Sequence, residues 1–401
     1  PIFLKDLKFF EAYLIIYLMA MQMDLFQIGI LMAIREGFMY VFEVPSGIIA
    51  DHYGKKKELM MCFVFYIISF VLFFIGYSFW FIALGMVFYG LGEAFRSGTH
   101  KAMILSYLEQ KGWFEHKGYV YGRTRSFSLL GSSLSAFLGI LFVLNLPALR
   151  WIFLMSIIPY VLDFLLIASY PDSLDESSGA EKSLKQFIAI SKVQMRTIFL
   201  NSKLNRVVMS SATYDGVFKT IKDYIQPIMS YLIFSAGIGT FKSFDADKTL
   251  KIYLGIIYGI FYIFSASVSK NVYRLTKKFS AIKVFDGAYS LFGLCMIGLA
   301  YAIHQSWLIV AIAIYFALYL MMDARRPVFV DVSSDLIEKN HRATVLSIES
   351  QIRALFMVFF SPIFGWIAEK YSISNLFLGI GILLLISNHF LKSNPDKRHF
   401  T

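Results

Sequence analysis

Gly47-Ile48-Ile49-Ala50-Asp51-His52-Tyr53-Gly54-Lys55-Lys56-Lys57-Glu58-Leu59 is the stretch on which the reading of this chain turns. An apolar run ends at Ala50, polar and basic residues occupy 51–58, and a second apolar run starts at Leu59. A glycine at 47 lets a neighbouring helix approach closely. A glycine at 54 permits a tight turn. Asp51 sits where a helix ends and can meet the positive end of another helix or an arginine. The lysines suit an anionic headgroup surface. The stretch therefore reads as a short basic loop between two membrane-spanning helices.

The whole chain agrees with that reading. It has 401 residues, 57% of them hydrophobic and only 16% charged, with 41 Phe and 24 Tyr. Its mean hydropathy is +0.62. A soluble domain carries roughly 25% charged residues, and a spanning helix needs about 20 apolar ones. Apolar runs predict helices at 3–22, 25–50, 57–77, 79–106, 119–145, 149–170, 213–236, 250–275, 281–302, 306–335, 342–370 and 373–391. The predicted fold class is therefore an all-α membrane protein of about twelve spans.

The basic residues sort to one side. Connections after even-numbered spans carry Lys55 to Lys57, Lys111 and Lys117, Lys182 through Arg206, Arg274, Lys277 and Lys278, and Lys339 and Arg342. Most odd connections carry none or one. The exception is Lys242 to Lys251, where Asp245 and Asp247 offset three lysines. The positive-inside rule then places both termini and the central connection in the cytoplasm. The net charge of +11 is accounted for by the membrane, and no nucleic-acid partner is expected. Trp80, Trp151, Trp307 and Trp366 fall at the opposite ends of spans, as an outer aromatic belt would.

The break at Tyr170 to Ala180 (YPDSLDESSGA) is the clearest linker. Beyond it, Glu181 to Arg206 alternates basic residues with Leu184, Phe187, Ile188, Ile198 and Phe199. That pattern suits either a basic amphipathic helix on a membrane surface or a solvated connector. The chain divides into a first bundle at 1–170, a linker at 171–212 and a second bundle at 213–401. The halves echo each other: Lys5, Lys8, Tyr17 and Leu18 align with Lys219, Lys222, Tyr231 and Leu232, and Glu93/Arg96 with Asp323/Arg326. Internal repeats of this kind mark alternating-access transporters.

The loop from Gly47 to Leu59 resembles the signature of the major facilitator superfamily, G-x-L-A-D-R-x-G-R-K-x-x-L. Gly47, Ala50, Asp51, Gly54, Lys55, Lys56 and Leu59 match, and His52 stands where the family has Arg. The resemblance implies two six-helix bundles rocking about a central site. It also implies a gating role for Gly47, Asp51, Gly54, Lys55 and Lys56. The fifth span, Gly131 to Gly139, lacks the Gly-Pro pattern of proton-coupled drug antiporters, which weighs against a multidrug or cation exporter.

Charges inside the spans are the candidate site. Ionisable groups at bilayer depth normally face a water-filled cavity or a partner. Glu93 and Arg96, three apart on one helix face, and Asp323 and Arg326 in the same arrangement, either line a cavity or form self-neutralising pairs. Glu36, with no basic residue three or four positions on and with Arg35 expected to point elsewhere, is the preferred proton carrier. Glu93, Asp223 and Asp323 are further coupling candidates, and Asp163 is a second isolated acid. Lys222, Gln226, Arg353, Tyr13 and Tyr17, with Arg96 and Arg326, are the candidate substrate contacts. Lys219 is expected to snorkel to the interface, and Arg123, Arg125 and Arg342 to act as anchors.

Cys62 and Cys295 sit in apolar runs and supply neither a disulfide framework nor a metal site. There is no P-loop, H-E-x-x-H or G-x-S-x-G, so neither an enzyme nor a bound cofactor is expected. The chain begins at Pro1 without an initiator Met or signal-peptide pattern, so a few leading residues are expected before it. The expected protein is a secondary transporter in the inner or plasma membrane, working as a monomer among membrane lipids. It would move a small solute, with an organic or inorganic anion favoured by the excess of basic residues, and couple it to protons. The rivals are the cation exporter and a receptor or scaffold that kept the fold without transport.

Overall fold

A computed structural model describes residues 2–97, 99–171, 200–236, 245–271, 280–334, 336 and 342–391. The expected amphipathic stretch lies outside the described residues up to residue 199. Among the described residues every regular element is helical. The first span is interrupted: α1 (Ile2–Lys5), a 3-10 turn (Glu11–Tyr13) and α2 (Leu14–Ala20). Spans two to six are α3 (Leu25–Tyr53), α4 (Lys55–Ile75), α5 (Phe79–Ser97) followed by α6 (Thr99–Gln110), α7 (Lys117–Asn145) and α8 (Trp151–Ala168). The seventh is again interrupted: α9 (Ser202–Ile221), a 3-10 turn (Lys222–Tyr224) and α10 (Ile225–Ala236). The last five are α11 (Ala246–Asn271), α12 (Ala281–His304), α13 (Leu308–Ser334), α14 (Arg342–Lys370) and α15 (Ile373–Leu391).

Ten of these helices are long and apolar enough to cross a membrane. The first and seventh spans complete the set, each split into shorter pieces and each carrying charges at its break. In the seventh the cause is visible. Pro227 has no N–H to return to the carbonyl of Asp223, so the ladder fails there and restarts as α10. The described residues of the fourth span are helical on both sides of residue 98 and run on to Gln110, past the expected end at 106. The start of the seventh span differs from the sequence reading. The seventh begins at Ser202 rather than near 213, because Asn201 caps it: its side chain accepts from the Leu204 N–H at 3.2 Å.

Spans alternate in direction, so Ile2, Tyr53 and Leu391 share one end, the near end. Met23, Gly76, Trp307 and Tyr371 lie at the other, the far end. At the near end Gly54 closes α3 with φ +103°, a value L side chains avoid. At the far end Asp24 caps α3 in a reciprocal capping box with Gln27.

Packing shows two related bundles. In one, α4 packs on α5 and α8, and α3 on α5; in the other, α12 packs on α15 and α13, and α9 on α14. Between them α3 meets α14, α7 meets α11, and α2 meets α10. The second span meets the eleventh and the fifth meets the eighth, so a two-fold operation that adds six to each span exchanges the two contacts. The closest approach is at the far end. A Cβ on Gly365 would run into the Leu25 carbonyl, and one on Gly29 into the backbone of Ser361 and Pro362. At Gly47 a Cβ would meet nothing within 4 Å. The close approach expected at that glycine is absent, although Ser46 beside it donates to the Ala94 carbonyl of α5 at 3.1 Å.

Gly365→Leu forces a side chain into the Leu25 backbone. The expected outcome is destabilisation by about 1–3 kcal/mol, the usual cost of overpacking, read as a lower melting temperature of the purified protein, together with transport at background level in proteoliposomes.

Candidate functional site

The two helix breaks lie at the head of a cavity between the bundles. Its volume is about 390 Å³, within the range of about 300–1,000 Å³ typical of small-molecule sites. The first bundle contributes Lys5, Asp6, Lys8, Glu11, Arg35, Glu36, Tyr89, Glu93 and Arg125, among others. The second contributes Lys219, Lys222, Tyr262, Tyr319, Asp323 and Arg326. A smaller pocket continues beside Glu11, Arg35, Tyr89, Lys222 and Asp223. Seven basic and five acidic side chains thus face the larger space, with tyrosine hydroxyls between them.

Most of these charges are paired. Lys8 Nζ lies 3.1 Å from Glu93, whose other oxygen accepts from Arg96 at 2.9 Å. Lys8 also donates to the Tyr89 hydroxyl at 2.7 Å. Lys5 meets Asp6 at 3.1 Å, and Asp6 in turn accepts from Ser128. Arg35 holds Glu36 at 2.8 Å. Lys222 bridges Asp223 at 3.2 Å and, across the bundles, Glu11 at 3.5 Å. Arg125 reaches Asp323, also across the bundles, at 3.8 Å. Arg353, buried below the cavity floor, holds Glu349 at 3.0 Å and Asp215 at 3.6 Å. Among the described residues Lys219 and Arg326 form no ion pair.

Several expected positions look different in three dimensions. Arg35 was expected to point away from Glu36; its long side chain curls along the helix surface and binds it, so Glu36 is not isolated. The Asp323/Arg326 pair does not form as Glu93/Arg96 does, because Asp323 faces Arg125 of the other bundle. Arg125 lines the cavity in addition to sitting near a helix start. Tyr13 and Tyr17 are fully or almost fully buried outside the cavity: Tyr13 donates to the Lys251 carbonyl at 3.2 Å and Tyr17 to the Phe73 carbonyl at 2.6 Å. Gln226 is completely buried and binds backbone of the first span. Arg96 acts on the cavity through Glu93, whereas Arg353, expected as a substrate contact, is buried with Glu349 and Asp215 outside the cavity lining. Lys55 donates to Ser106 at 2.8 Å and Lys56 to the Tyr170 carbonyl at 2.7 Å, tying the near-end loop to its own bundle. Asp51 closes the last turn of α3; its side chain lies outside the described residues.

Sequence reasoning missed Glu11 and Asp6. Both sit in the charged first span beside the lysines that were noticed, Glu11 three residues after Lys8 and Asp6 next to Lys5, and spacing along one span does not reveal partners on other helices. Tyr262 and Tyr319 carried no signal beyond their aromatic neighbours.

Bundles that meet at the far end and part around a charged cavity define a membrane transporter with a central site. Residues 7–348 match the model of the Major Facilitator Superfamily, and the chain belongs to that family, whose members are transporters and not enzymes. It is 23% identical over 380 residues to the Uncharacterized MFS-type transporter YxaM of Bacillus subtilis (strain 168), covering 94% of this chain and 89% of that one. Among solved structures it is similar to the nucleoside transporter NupG, with TM-score 0.80 at 11% identity over 98% of both chains. It is also similar to the D-xylose-proton symporter, with TM-score 0.70 at 15% identity over 97% of this chain and 95% of that one. At these identities the likeness is one of fold.

Glu93→Gln removes the carboxylate that Lys8 and Arg96 share. Breaking a buried ion pair strands its partners; with water in the cavity, the expected loss is about 3 kcal/mol, read as a lower melting temperature. Lys8→Met combined with Glu93→Gln should recover part of that loss.

Proposed function

We propose that the protein carries a small organic or inorganic anion across the cell membrane by alternating access, in exchange or symport with protons. The observation that carries this reading is the pair Lys219 and Arg326, which face the cavity without a carboxylate partner among the described residues. Every other cavity cation has one. A cation held at bilayer depth is costly unless a counter-charge arrives, and an arginine beside a lysine suits a carboxylate or phosphate-like oxyanion. The cavity would then complete its charge balance only when loaded.

Lys/Arg sorting along the chain supports a cytoplasmic near end, so the cavity opens to the cytoplasm and the far end is the closed outer gate. In this reading residues 1–170 and 213–401 are the rocking bodies and 171–212 the connector, with Gly54, Asp51, Lys55 and Lys56 closing the cytoplasmic side in the opposite state. Coupling to protons finds its place at Asp323. An anion seated on Arg326 also draws Arg125, and a carboxylate that loses its counter-ion at depth becomes easier to protonate. Glu36, Glu93 and Asp223 hold their cations at shorter distances and would give up less.

Uptake into proteoliposomes by a panel of carboxylates, phosphate esters, inorganic anions, sugars, nucleosides and lipophilic cations tests the reading. An anion should be taken up, with Lys219→Met and Arg326→Gln each weakening its apparent affinity about tenfold to a hundredfold, the worth of one charge-assisted hydrogen bond. Transport of a lipophilic cation with no response to anions overturns it. Replacement of Asp323 by Asn should abolish proton-driven accumulation while leaving anion exchange measurable. Asp51→Ala should slow turnover in every mode, whereas a non-transporting scaffold would be indifferent to it.

A further inference from the structure

Gln226 makes an unusual set of contacts for a buried side chain. It belongs to α10 of the second bundle, yet it is bonded to the main chain of the first. Its Oε1 accepts from the N–H groups of Ile15 at 2.8 Å and Ile16 at 3.3 Å. Its Nε2 donates to the Glu11 carbonyl at 3.1 Å and to the Tyr258 hydroxyl at 3.2 Å. In an unbroken α-helix the Ile15 and Ile16 N–H groups would donate to the carbonyls of Glu11 and Ala12. Here a 3-10 turn over Glu11–Tyr13 interrupts the ladder, and one carboxamide from the other bundle serves groups on both sides of the interruption.

We infer that Gln226 is the latch of the far gate: it holds the two bundles together by occupying the break in the first span, and it must leave that break before the far end can open. The contacts give the latch a connection to the cavity. Tyr258, which accepts from Gln226, donates to Asp223 at 2.9 Å. Asp223 pairs with Lys222, and Lys222 with Glu11, whose own carbonyl receives Gln226. Gln226, Tyr258, Asp223, Lys222 and Glu11 thus close a ring over three helices and both bundles, with the cavity on its Lys222 side. Anything bound near Lys222 acts on the same ring that holds the amide in place.

The chemistry also explains how the latch can release without stranding polar groups. Once the amide withdraws, the Ile15 and Ile16 N–H groups are free to donate to the carbonyls four residues before them, those of Glu11 and Ala12, and the first span can close into continuous helix. Backbone groups at bilayer depth must stay satisfied in both states, and this exchange of partners satisfies them in each. Gln226 is therefore a positioning residue of the gate, separate from the anion contacts proposed above, and the inference stands if the cargo proves not to be an anion.

Spin labels at Trp80→Cys and Ile309→Cys test this, with Cys62 and Cys295 replaced by Ala. Both label sites are exposed at the far end, one on each bundle. Gln226→Leu should raise the population of long inter-label distances about tenfold, the equivalent of one to two lost hydrogen bonds. Gln226→Glu keeps the acceptor for the Ile15 and Ile16 N–H groups and loses the donor, and should fall between Gln226→Leu and the unmodified chain. A folded Gln226→Leu protein with an unchanged distance distribution overturns the inference, even if its melting temperature falls, since that is what a merely structural residue would show. If Gln226→Leu does not fold, Gln226→Glu decides alone: a shift toward long distances upholds the latch and none overturns it.

Discussion

A charged side chain at bilayer depth costs about 2.5–3.5 kcal/mol on insertion scales, and the interior of this protein is organised by that cost. The answer is a lattice of ion pairs that reaches across helices. Glu93 serves Lys8 and Arg96, Arg353 serves Glu349 and Asp215, and Lys222 serves Asp223 and Glu11. Such pairs gain less than their Coulomb attraction suggests, because each ion has been taken from water. Their value lies in what they forbid, since moving one helix leaves a charge without its partner.

That constraint explains the distribution of contacts between the bundles. At the far end the helices meet through backbone. Gly29 and Gly365 carry no side chain, so α3 and α14 come together almost main chain to main chain, and the Leu25 N–H reaches Glu369 at 3.1 Å. Close van der Waals packing without bulky side chains is the usual means of joining helices in lipid. At mid-depth Phe137 of α7 packs on Gly259 of α11, and polar contacts join in: Gln226 on the first span, and Lys222 on Glu11. Beyond them, toward the near end, the cavity opens and the bundles are bridged by the longer Arg125–Asp323 pair. Contact thus weakens from the far end to the near end, which suits a molecule that must hinge.

Both central spans are broken at the head of the cavity, and for different reasons. In the seventh, Pro227 deprives the Asp223 carbonyl of its helical donor. The first has no proline in its turn, and its unpaired backbone groups are met by Gln226. A broken helix at bilayer depth is tolerated only where protein or a water-filled cavity satisfies the freed groups; here the second bundle does so for the first.

The sequence by itself determined the class of this protein. Apolar run lengths set the number of spans, lysine and arginine sorting set their proposed orientation, and the loop from Gly47 to Leu59 identified the family. These are one-dimensional properties, because a span must be long enough and a turn must have its glycine whatever lies beside it. Only the tertiary structure decided which charges meet. The spacing of Asp323 and Arg326 matches that of Glu93 and Arg96, yet one pair forms and the other yields to Arg125 from the opposite bundle. Glu36 has no partner a helical turn away and is still bound by its neighbour Arg35. Gln226 reads as a cavity residue and is instead spent on the backbone of another span. Ion pairs and hydrogen bonds depend on distances of a few ångströms between helices, and spacing along one helix carries no record of which face another helix will cover.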